Sequence, residues 1–174
     1  MIRWSKIRLL LGLSLFWACQ KEVSNDPIPK IAYLGHEIVQ NELGKDSLIL
    51  MRFSFEDGDG DLGYTPADTN SPFRIGDPYF YNIHTDFYGV NNGTKVYYID
   101  GFSGDTIRYN QRIASLTPEG KYKALSGTME LRMDFALLLL NGHTPNNVQL
   151  EFWINDRNLN QSNRVTSPEI AVNP

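Results

Sequence analysis

The densest chemistry in this sequence is the run Phe55-Glu56-Asp57-Gly58-Asp59-Gly60-Asp61-Leu62-Gly63, in which carboxylates alternate with glycines. Asp57, Asp59 and Asp61 stand at i, i+2 and i+4, so their charges repel one another unless a cation lies between them. Calcium takes roughly six to eight oxygen ligands in flexible geometry, and glycines let a chain curl round it. The spacing matches the opening of many calcium loops but not an EF-hand. Counting from Asp57, the sixth position is Leu62 where that motif has Gly, and the twelfth is Asp68 where it has Glu. The alternative is an Asp/Gly-rich β-turn whose carboxylates are solvated or cap backbone amides. A distal acid, Asp156 in Ile154-Asn155-Asp156-Arg157-Asn158, follows an alternating apolar run. If loops converge at one pole, Asp156 and Asn158 approach Asp57–Asp61; otherwise Asp156 pairs with Arg157 or caps a turn. Calcium is thus the cofactor to look for, with Asp57, Asp59, Asp61 and Asp156 as ligands.

A second cluster is aromatic. Tyr79, Phe80, Tyr81, Phe87, Tyr88, Tyr97 and Tyr98 fall within twenty residues. Sugar C–H faces pack on such rings, which makes Tyr79, Tyr81 and Tyr88 candidate ligand-binding residues. Core and cross-strand packing is the competing explanation. Other chemistry finds no footing. His36, His84 and His143 lack zinc spacing, no Gly-x-Ser-x-Gly elbow is present, and there is no phosphate loop or dinucleotide fingerprint. Carboxylate pairs for glycoside hydrolysis need only meet in space, and nothing in the sequence selects one. The chain is expected not to be an enzyme.

The third feature is Cys19, the single cysteine. Arg3, Lys6 and Arg8 precede an apolar run from Leu9 to Trp17. Nine helical residues rise only about 13–14 Å, too short to span a bilayer and suited to a secretory signal. Leu15-Phe16-Trp17-Ala18-Cys19 resembles the lipobox of bacterial lipoproteins, where signal peptidase II cuts before a diacylated cysteine; Trp17 and Phe16 depart from its usual residues. The resemblance implies lipidation at Cys19 and residence at the outer membrane, facing the periplasm or the cell surface. Gln20-Lys21-Glu22 is similar to short surface-export tags of Bacteroidetes-type lipoproteins.

The elements that must position these residues are short and β-rich. Residues 1–18 form the expected signal and 19–30 a tether carrying Pro27 and Pro29; 31–174 form one domain. Removing the signal leaves 13 basic against 20 acidic side chains, a net charge of −7 that offers nucleic acid no footprint. Candidate strands are Ile31–Val39, Leu48–Phe55, Tyr79–Tyr88, Thr94–Ile99, Thr106–Ile113, Leu125–Phe135, Val148–Ile154 and Asn163–Val172. In the last, Pro168 suits an edge or bulge. Only Ala136–Leu140 can start a helix. Asn92-Gly93, Ser103-Gly104-Asp105, Pro118-Glu119-Gly120 and Asn141-Gly142 punctuate the runs. The pattern predicts an all-β, antiparallel, immunoglobulin-like sandwich of about seven to nine strands.

Three features together resemble small Bacteroidetes-type lipoproteins without assigned activity: the lipobox, the Phe55–Gly63 turn, and Asp156-Arg157 with Ser162-Asn163-Arg164-Val165-Thr166. The resemblance implies an immunoglobulin-like sandwich at the cell envelope. The functional expectation is a lipid-anchored, non-catalytic binding, adhesion or structural module, stabilised by calcium. The alternative is a glycan-binding accessory lipoprotein of a polysaccharide uptake system.

Overall fold

A computed structural model describes residues 25–116 and 124–174. The expected signal peptide, Cys19, the export tag and the Pro118–Gly120 turn lie outside the described residues. Strand β1 (Lys30–Gln40) pairs antiparallel with β2 (Asp46–Asp57). Next come β3 (Ile83–Asn91) and β4 (Thr94–Tyr97), a hairpin turning at Asn92-Gly93. Both turn residues take positive φ, 49° and 76°, the conformation that favours Asn and Gly there. Strand β5 (Leu125–Asp134), helix α1 (Ala136–Leu140), β6 (Asn147–Ile154), β7 (Val165–Thr166) and β8 (Ile170–Ala171) complete the chain. The fold is all-β and antiparallel. One sheet has the order β1-β2-β5 and the other β4-β3-β6-β7, with β8 also paired to β6.

Alternation builds the core between these sheets. In β2, Ile49, Met51, Phe53 and Phe55 point inward; in β5, Leu131 and Met133; in β6, Val148, Leu150, Phe152 and Ile154. All are buried, as the period-two pattern predicts. Phe53 and Phe152 join the sheets, their ring centroids 5.1 Å apart. Each buried ring of this size contributes roughly 1.5–3 kcal/mol of hydrophobic stabilisation.

Three expected strands change. Tyr79–Asn82 is not strand, and β3 begins at Ile83. The backbone there is spent elsewhere: Phe80 N–H donates to the Asp77 carbonyl, and the Phe80 carbonyl accepts from Arg112 at 2.7 Å. The Thr106–Ile113 run makes isolated bridges to Ile99, Asp86 and Ile83 instead of a continuous ladder. Side-chain amides replace ladder bonds: Asn110 Oδ1 accepts from Thr85 N–H, and Asn82 binds both the N–H and carbonyl of Ile113. The last run splits around Pro168 into β7 and β8. The expected tether also ends in contact with the domain: the Asp26 carbonyl accepts from Gly58 N–H at 3.0 Å.

Candidate metal site

The in-out alternation of β2 does not stop at Phe55. Asp57, the last residue of the strand, keeps the inward parity and is 1% exposed. The same holds in the opposite sheet, where Asp156 lies two residues past Ile154 and is 0% exposed. A carboxylate therefore ends each core stripe at one pole of the sandwich. Between β2 and the following chain, Gly60 at φ 68° bends the loop and brings Asp59 and Asp61 round to the same point. Leu62, fully buried, plugs the loop into the core, and its carbonyl accepts from Leu116 N–H.

Asp57, Asp59, Asp61 and Asp156 each present an oxygen within 4.8 Å of the others. Calcium–oxygen distances of about 2.3–2.6 Å give a coordination shell roughly 4.6–5.2 Å across, so one ion can reach all four. Hydrogen bonds position the carboxylates through their other atoms. Asp57 Oδ2 accepts from Leu62 N–H at 3.1 Å. Asp61 Oδ2 accepts from Asn158 N–H at 3.1 Å, and Asp59 Oδ2 from the Asn158 amide at 3.2 Å. Asp156 accepts from the backbone and side chain of Asn160, both at 2.8 Å. The Oδ1 atoms of Asp57, Asp59 and Asp61 are buried without a hydrogen-bond partner. Orphaned buried acceptors are rare in folded proteins, because each forfeits its hydration.

The electrostatics agree. Burial, then the charges of Asp61 and Asp59, push the Asp57 carboxyl up to about 7. Burial, then Asp156 and Asp59, push Asp61 up to about 6. Asp156 is also raised, mainly by burial. Among the described residues no guanidinium neutralises this group: Arg157 donates instead to Asp68 at 3.1 Å. Asp156 thus caps the turn at Asn160 and joins the acidic loop; it does not pair with Arg157. The four aspartates form a cluster able to bind a metal ion. Among the described residues no histidine joins it. His36 bonds the Tyr33 hydroxyl, His143 the Ile99 carbonyl, and His84 Nε2 accepts from Asn155.

The contact to Asp68 ties this pole to the chain between Tyr64 and Tyr81. Arg112 lies over the rings of Tyr64 and Phe80 and donates to the carbonyls of Asp68, Phe73 and Phe80. Of the aromatic candidates, Tyr81 is exposed and Tyr79 half-buried. Tyr88 presents no ring: it is 0% exposed, covered by Lys95 and Tyr97, with its hydroxyl on Gln149. Tyr81 instead lines a groove with Trp153, a residue the aromatic cluster did not include. The available signal was parity, since Trp153 lies out of phase with the Val148–Ile154 core stripe. No protein-family model matches this chain, and neither a curated protein nor a solved structure does.

Proposed function

We propose that this chain is a lipid-anchored cell-envelope protein whose β-sandwich is a non-catalytic binding or structural module, stiffened at one pole by calcium. The observation that carries the calcium reading is the set of four converging carboxylates with three orphaned oxygens and, among the described residues, no paired cation. Four hard anionic oxygens, with backbone carbonyls and water to complete the shell, suit calcium better than softer ions. Bound there, the ion would join the ends of β2 and β6, and so the two sheets. Cys19, the preceding apolar run and the three leading cations support the anchor. The strand orders β1-β2-β5 and β4-β3-β6-β7 follow the A-B-E and C′-C-F-G orders of immunoglobulin-like domains, which supports that topology.

Thermal unfolding in excess calcium and in chelator tests the metal: a rise in Tm with calcium is expected, and equal values reject it. Labelling cells with a fatty-acid analogue tests the anchor, with label expected on the native chain and lost in Cys19→Ala. Absence of label on the native chain rejects that part alone.

A further inference from the structure

The outer face of the β4-β3-β6-β7 sheet carries an open groove of about 930 Å³, whose lining includes none of the four clustered aspartates. Its floor is a row across neighbouring strands: His84 on β3, Trp153 on β6 and Arg164 just before β7. The His84 and Trp153 rings lie 7° from parallel with centroids 5.1 Å apart, and the Arg164 guanidinium sits 3.7 Å from the indole centroid. The row is held in place, because Asn155 bonds His84 and Glu151 accepts from Arg164.

Charge along the groove is largely cancelled. Arg108 donates to Asp86 at 2.9 Å, Arg164 to Glu151 at 3.3 Å, and Arg74 to Asp77 at 3.3 Å. Each guanidinium of the lining thus already faces a carboxylate, and among the described residues the Asp105 carboxylate has no ion-pair partner, so the balance of charge favours a neutral ligand over a phosphate or polyanion. The groups not committed elsewhere are of another kind. Tyr81 is 39% exposed and held edge-on against Phe80 with centroids 4.8 Å apart. Neither the Asp105 carboxylate nor the Trp153 indole N–H is hydrogen-bonded among the described residues. A held ring offers a face for C–H groups, a free carboxylate accepts from hydroxyls, and a free N–H donates to them. An apolar ligand would strip water from this mostly polar lining without replacing its hydrogen bonds.

We propose that this groove binds a neutral carbohydrate chain, with Tyr81 as the stacking ring and Asp105 and the Trp153 indole N–H as hydroxyl partners. The proposal rests on reading the domain as a non-catalytic binding module, and its test separates the two. The three tryptophans are Trp4, Trp17 and Trp153, so the full chain carrying Trp4→Phe and Trp17→Phe reports the groove through Trp153 alone. Soluble fragments of cellulose, xylan, mannan and chitin are titrated while Trp153 emission is followed, with oligogalacturonate as the anionic arm. A saturable emission change with at least one neutral fragment is expected. Tyr81→Ala and Asp105→Asn should each weaken it about tenfold, while Tm stays unchanged because neither side chain is in the core. No response to any neutral fragment overturns the proposal. So does a response that survives both substitutions, or tighter binding of oligogalacturonate. Chromatography of the recovered saccharide reads the other premise: a bound fragment returned shortened keeps the groove and overturns the non-catalytic reading.

Discussion

Asp57 and Asp156 end the core-facing stripes of two strands in opposite sheets, and their carboxylates meet within 4.8 Å. The same alternation that fills the core with Phe55 and Ile154 delivers two buried charges to its edge. Without a cation this is a liability, since like charges in a poorly solvated site raise each other's cost of ionisation. With one, the liability becomes a cross-link between the two sheets at this pole. The site is therefore expected to act on stability with opposite signs in its two states.

Asp57→Asn separates those states. In chelator, the substitution removes a buried carboxyl whose ionisation the fold resists and is expected to stabilise the domain by roughly 1–3 kcal/mol at neutral pH. In calcium it deletes a ligand and should leave the variant less stable than the native protein. Chemical denaturation of both proteins in both buffers checks this. A variant that is destabilised equally in calcium and chelator contradicts the metal reading.

The raised carboxyls also set a pH dependence. Asp57 titrates near 7 and Asp61 near 6 in the fold, against an ordinary 3.8. A group held protonated by the fold favours folding at low pH and opposes it once ionised. These groups therefore cost the metal-free domain stability as pH rises from about 4 to about 7. Calcium binds the ionised form and reverses that cost. The Tm gap between calcium and chelator is thus expected to be small near pH 5 and largest above pH 7. His84, lowered chiefly by burial, acts in the other direction, losing stability as pH falls below its ordinary 6.5. It lies outside the aspartate cluster and cancels in the gap.

Much of this was legible in the sequence because it is local. Period-two alternation locates β2, β5 and β6, and Ala136–Leu140 forms the one short helix foreseen. The acidic loop stands out through its spacing. What alternation could not give is which strand ends share a pole, since that depends on strand order across two sheets. Asp156 had the parity of Ile154 in plain view, yet it meets Asp61 only because β2 and β6 lie in facing sheets, with Phe53 packed on Phe152 between them. Tyr88 misled for the same reason: it faces outward from β3, and the later hairpin strand β4 lays Lys95 and Tyr97 across it. Thr106–Ile113 read as a strand because its composition fits one, but the amides of Asn82 and Asn110 take over much of its pairing.

Asn163 closes an edge that would otherwise be open. Its Oδ1 accepts from Ile31 N–H at 2.9 Å and its Nδ2 donates to the Ile31 carbonyl at 2.8 Å. One side chain thereby imitates a neighbouring strand for β1 and fastens the chain before β7 to the other sheet. Asn163→Ala leaves both backbone groups unmatched and should cost about 1–3 kcal/mol. A urea midpoint that falls with an unchanged slope is the expected result.

Arg112 organises the chain between Tyr64 and Tyr81 through three carbonyls and two ring faces. Arg112→Ala removes all five contacts and is expected to destabilise by about 2–4 kcal/mol, with new protease cleavage between residues 65 and 80. Arg112→Lys keeps the charge but not the planar fork, so most of the loss should persist. Native-like protease resistance in the lysine variant would show that charge alone suffices.

Gly58 connects the acidic loop to the segment that enters the domain. Its N–H donates to the Asp26 carbonyl at 3.0 Å, and a Cβ at this position would run into the backbone of Asn25 and Asp26. Its φ is not in the left-handed range, so alanine suits the backbone of Gly58 itself. The collision falls on Asn25 and Asp26, while the four aspartates keep their places. Gly58→Ala is therefore expected to retain the calcium response while releasing this segment. Hydrogen exchange read on peptides covering residues 25–30 should speed up in the variant, in calcium and chelator alike. In the native protein, exchange of the same peptides should slow when calcium is added, because the loop against which they rest becomes rigid. If Gly58→Ala abolishes the calcium response, the loop depends on that contact for its shape, and the segment is part of the metal site and not merely its neighbour.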